Sequence, residues 1–123
     1  MINKYRNLFE VISEKGFDTL LEDFLNNEVN YTNVDKIEIL DILGEKYFKF
    51  YDTHMLTPDQ SKRVTSLLIK LTDFDNLGVI EDLIGILFNF RLVDYYLFLK
   101  ESSNTIKLDK VRNEVINSLN EYK

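Results

Sequence analysis

The chain has 123 residues, 45% of them hydrophobic, enough apolar surface for the core of one all-helical domain. It contains no cysteine, which excludes disulfides and thiolate metal sites. Its net charge of −6 is concentrated early: ten acids lie between Glu10 and Glu45 against Lys15 and Lys36 alone, whereas acids and bases balance from Lys46 onward. Such a surplus disfavours polyanionic partners, nucleic acid and anionic membrane alike, and favours a basic protein.

The start, Met1-Ile-Asn-Lys-Tyr-Arg, runs directly into an amphipathic pattern and lacks the apolar core and cleavage site of a secretory signal. The longest apolar stretch, Leu83 to Phe90, is too short to span a bilayer and is broken by Gly85 and Asn89. A cytoplasmic location is expected.

Ile2, Tyr5, Leu8, Phe9 and Ile12 recur at helical spacing, and Gly16 is expected to end that first helix. Phe17, Leu20, Leu21, Phe24 and Leu25 mark a second. The stretch Asn26 to Asn33 reads as a loop, with Thr32 or Asn33 capping a long third helix along Val34, Ile37, Leu40, Leu43, Tyr47, Phe48 and Tyr51. Phe48 and Phe50 point to nearly opposite sides of that helix, so one buried face cannot hold both. Thr57-Pro58-Asp59-Gln60 places a capping hydroxyl, a proline at the first helical position and a glutamine two residues on, a capping box that opens a fourth helix with Val64, Leu67, Leu68 and Leu71 inward. Helix five is expected from about Leu77 to Asn89, helix six from about Leu92 to Glu101, and a last helix from Lys107 to Tyr122 with Leu108, Val111, Val115 and Leu119 inward. Ile37 to Ile39 and Thr105 to Leu108 are the two short strand candidates. Short connections and wide apolar faces predict an all-α fold of about seven helices in stacked antiparallel pairs, a short α-solenoid or an irregular bundle.

Chemistry-bearing patterns are few. Glu38, Asp41 and Glu45 share one strip of helix three, and Glu22 lies on the acidic helix two. Such a strip is either a solvated face or a docking surface for a cationic site. Gly78, Glu81, Asp82, Gly85 and Asn89 fall on one strip of helix five, which predicts either a close helix crossing or a flat acidic patch against a partner. Asp73-Phe-Asp75-Asn76-Leu-Gly78 echoes a calcium loop, but Leu77 and Ile84 occupy positions that need oxygen ligands, so helix capping by Asp75 or Asn76 is expected there. His54 is the single histidine, and no nucleotide-binding glycine motif occurs. No metal, cofactor or catalytic residue is expected, which points to a binding protein and away from an enzyme. Tyr51 and Tyr96 are candidate aromatic anchors beside the carboxylates.

The segment Val79-Ile-Glu-Asp-Leu-Ile-Gly-Ile-Leu-Phe-Asn-Phe-Arg-Leu-Val-Asp-Tyr-Tyr-Leu-Phe-Leu-Lys100, an apolar helix, a tight turn with a basic residue and a second helix, resembles a HEAT-type helix pair. In length, acidity and richness in Asn and Tyr the chain is similar to immunity proteins of bacterial polymorphic-toxin and contact-dependent growth-inhibition systems. That resemblance implies a cognate toxin with a basic surface, a nuclease above all, as partner. Its contact residues would be Glu38, Asp41 and Glu45, then Glu22, Glu81 and Asp82, with Tyr51 or Tyr96 as anchors. The alternative is a helical-repeat scaffold or regulatory adaptor that binds a peptide or forms a homodimer.

Overall fold

A computed structural model describes residues 2–8, 12–50 and 54–122, and these form seven α-helices and no strand. They are α1 (Asn3–Arg6), α2 (Glu14–Asn27), α3 (Asn33–Phe48), α4 (Pro58–Leu71), α5 (Leu77–Phe90), α6 (Val93–Ser102) and α7 (Asp109–Glu121).

The caps explain most boundaries. Thr32 accepts from the Asp35 amide to start α3, the full capping box of Thr57 and Gln60 starts α4, and Asn76 accepts from the Val79 amide to start α5. Gly16 corrects the reading of the first helix. Ser13 is an N-cap whose hydroxyl accepts from the Gly16 amide, so Gly16 lies in the first turn of α2 and terminates nothing. α1 is correspondingly a single turn. The strand candidates are also corrected: Ile37 to Ile39 lie inside α3, and Thr105 to Leu108 form the end of a tight turn and the cap of α7. Leu108, expected inward, is 45% exposed because the helix it precedes turns Val111 and Val115 to the core instead.

The helices stack in two layers. α3, α5 and α7 pack side by side in one; α2, α4 and α6 form the other, with α6 also against α7 and α1 against α3. Alternate helices run the same way, so the C-terminal ends of α3, α5 and α7 converge. There the Tyr47 ring stacks on Phe90 at 5.5 Å and Phe88 stacks on Tyr122 at 5.6 Å. The core between the layers holds Phe17 and Leu21 of α2, Leu40 and Leu43 of α3, Leu68 of α4, Leu83 and Ile86 of α5, and Tyr95 of α6, all fully buried. The Tyr95 hydroxyl lies 2.8 Å from Thr72 Oγ1, and burial pushes the phenol up to about 12.

A tight helix contact lies at a glycine with no special pattern in the sequence. A Cβ at Gly44 of α3 would sit 3.2 Å from Asn89 Cβ and 3.3 Å from the Phe90 ring of α5. The glycines flagged on α5 behave otherwise. Gly78 is near only the side chain of its own cap, and nothing approaches a Cβ at Gly85 within 4 Å. No close crossing therefore occurs at Gly78 or Gly85, whereas Asn89 at the end of the same strip meets Gly44 of α3.

Candidate functional site

Most of the early acidic surplus has a partner within the molecule. Lys4 pairs with Asp23, and the Arg6 guanidinium donates to both oxygens of Glu38 at 2.5 and 2.8 Å. α1 is held for this by Tyr5, fully buried against Phe24 and Tyr31. Its phenol is raised first by burial and then by Tyr31 and Asp23. Lys36 reaches Glu28 at 2.7 Å. Between α2 and α4, Arg63 donates to Glu22 at 2.9 Å and Gln60 donates to the other Glu22 oxygen at 3.1 Å. These hydrogen bonds hold the Glu22 carboxyl below the usual range. His54, packed against Phe17 and Phe50, lies 2.9 Å from Asp18 and 3.6 Å from Glu14.

Of the residues singled out in the sequence, Glu22 and Glu38 are thus engaged internally. Asp41, Glu45, Glu81 and Asp82 are exposed and make no ion pair among the described residues. The structure brings α3 and α5 together so that Asp41 feels Glu45, Asp82 and Glu38 at once. Its carboxyl is raised above the usual aspartate range, first by partial loss of solvent at the helix seam and then by those three like charges. The strip is acidic at Asp41, Glu45 and Asp82, with the Arg6 guanidinium on Glu38 at one end of it. An added cation there would offset the like-charge part of that shift. Tyr96 of α6 is half-buried and stacks on Tyr122 at 4.8 Å. Tyr51 lies outside the described residues.

Phe48 extends the strip. Val34, Glu38, Asp41, Glu45 and Phe48 recur at intervals of three and four along α3 and therefore share one side. Phe48 is 49% exposed and Val34 75%. Beside Phe48 the converging helix ends leave an open surface pocket of about 320 Å³ lined by Phe48, Phe88, Arg91, Glu121 and Tyr122. Arg91 has φ 58° and ψ 51°, the left-handed cap that ends α5. It is the non-glycine residue with positive φ among the described residues. Sequence reading passed over Phe88, Glu121 and Tyr122. The signal that could have found them is helix parity: three alternate helices must end at the same side of the stack.

No family model, curated protein or solved structure matches this chain. Among the described residues no group of three or more His, Asp or Glu side chains is placed to hold a metal ion, and no helix is long and apolar enough to cross a membrane. Asp73 of the calcium-like loop accepts from the Asp75 amide at 3.0 Å, and Asn76 is spent on capping α5.

Proposed function

We propose that the protein is a cytoplasmic immunity protein that binds and neutralises a cognate bacterial toxin domain, a nuclease above all, and that it is not an enzyme. The observation that carries this reading is the cluster of Asp41, Glu45 and Asp82 on the exposed side of two packed helices, where no cation of the fold pairs with them among the described residues. A groove built for phosphates presents lysines and arginines. Carboxylates on fixed helices can occupy such a groove or a site beside it, and opposite charge accelerates the encounter. The Arg6–Glu38 fork shows the bond type this face accepts, a guanidinium donating to both oxygens of one carboxylate. Because Glu22 and Glu38 are occupied, the charge contact falls to Asp41, Glu45 and Asp82, with Glu81 adjacent.

The test is association kinetics of the Asp41→Lys, Glu45→Lys, Asp82→Lys triple variant with the product of a neighbouring toxin-like gene. Association should slow by about tenfold or more at low salt and lose most of its salt dependence. Unchanged kinetics would remove this face as the interface.

A second reading is favoured by one feature. Val93 and Leu97 stand outward on α6, at 57% and 45% exposure, one turn apart. They suit a helical-repeat adaptor that binds an apolar peptide or a second copy. Sedimentation of the isolated protein separates the two readings, since self-association at micromolar concentration supports the adaptor.

A further inference from the structure

Gly85 is the residue of α5 that the fold itself does not call for. A glycine inside a helix costs stability relative to alanine, and it is kept where the backbone or a close neighbour demands it. Neither demand exists at Gly85. No glycine among the described residues has a positive φ, and nothing approaches a Cβ at position 85 within 4 Å. Gly44 gives the contrast, because there the Asn89 and Phe90 side chains stand where a side chain would have to go. Gly85 is nevertheless half-buried. It is therefore the floor of a notch in the outward strip of α5, open above and flanked by its neighbours' side chains.

The neighbours that matter are acids. Asp82 precedes Gly85 by one turn on the same strip, with Glu81 beside it. Gly44 meets Asn89, and α3 and α5 run the same way, so one turn back along each helix brings Asp41 level with Gly85. Asp41 and Asp82 are exposed, feel each other's charge and pair with no cation among the described residues. One turn before Asp41 on α3, Glu38 already holds a cation, and that cation is the guanidinium fork of Arg6.

The occupant has to be cationic, and it has to be of a shape for which the missing side chain at position 85 matters. An ammonium is a compact point charge that any opening near carboxylates admits. A guanidinium is a plate: its face lies on flat surface while its edge donates in plane to carboxylates. We infer that the notch over Gly85 receives an arginine side chain of the partner protein, its guanidinium laid on the α5 backbone between Asp82 and Asp41. This deepens the cationic-partner reading and rests on it. A side chain introduced at position 85 would take the place of the plate and leave every charge of the face unchanged.

That separation of shape from charge supplies the experiment. Acetylated and amidated tetra-arginine and tetra-lysine are titrated into isotope-labelled protein at low salt and followed by amide chemical shifts. Both peptides should shift Asp41 and Asp82. Tetra-arginine should also shift Gly85 and bind about fivefold tighter than tetra-lysine. In Gly85→Leu the melting temperature should hold or rise, because the helix gains propensity and the new side chain meets nothing of the fold. The affinity of that variant for tetra-lysine should change by less than about twofold, and its preference for tetra-arginine should fall below about twofold. Equal affinity of the two peptides for the parent, or a preference that survives Gly85→Leu, overturns the inference and leaves the charge reading standing. A lowered melting temperature of Gly85→Leu means that the fold itself fills the notch, and overturns the inference too. Binding of neither peptide overturns the charge reading and the inference together.

Discussion

Two faces of this helical stack carry carboxylates, and they use them in opposite ways. On the α2–α4 side, Glu22 is gripped by Arg63 and Gln60, and Asp18 lies against His54. Those carboxylates stitch neighbouring elements together. On the outer side of α3 and α5, Asp41 meets Glu45 and Asp82, and its carboxyl is raised first by partial loss of solvent at the helix seam and then by those like charges. Equal residue types in one chain thus serve cohesion on one face and display on the other. Net charge alone does not separate the two, because what decides is whether the fold delivers a cation to the site.

The same contrast appears in the backbone beneath the outer face, and there it gives the largest expected effects. Gly44 is pressed against Asn89 and Phe90, whereas Gly85, on the adjoining helix, faces open space. Gly44→Leu forces side-chain bulk into the α3–α5 seam and should lower the unfolding free energy by about 2 kcal/mol in chemical denaturation. Gly85→Ala should raise it by about 0.5–1 kcal/mol, since the new methyl meets nothing and the helix gains propensity. If Gly85→Ala destabilised the protein, something would have to pack on that strip, and the display of Glu81 and Asp82 would be wrong.

Much of the fold can be read from the residues, for identifiable reasons. The Thr57-Pro58-Asp59-Gln60 box and the Asn76 cap are local signals, and the structure uses both. The all-helical class follows from the apolar spacing of α4 and α5, which no tertiary contact contradicts. What escaped is non-local. Gly16 reads as a stop in one dimension, but a serine three residues earlier makes it part of a start. Arg6, Lys4 and Arg63 reach acids 19 to 41 residues away, so the cancellation of Glu22, Asp23 and Glu38 is invisible in a charge count. The pocket escaped for the same cause, because its walls come from three helices that meet only after stacking.

The smallest effects sharpen the comparison most directly, because they have opposite signs. Asp41 has a raised carboxyl in the folded state, so the fold favours its protonated form, and its ionisation costs stability as the pH rises through the folded value. Asp41→Asn should therefore stabilise the protein at pH 7, by a few tenths of a kcal/mol given the exposure and screening of the site. Glu22 is held low by Arg63 and Gln60, so the fold favours its ionised form, and its contribution is present above the ordinary glutamate range and lost as the pH falls through the folded value. Glu22→Gln should destabilise at pH 7 by less than about 1 kcal/mol. Unfolding curves of both variants between pH 3 and 7 should approach the parent from opposite sides as the medium becomes acidic. Variants that shift the same way at neutral pH would mean that one of the two faces has been assigned the wrong role. The variant with the wrong sign would identify which.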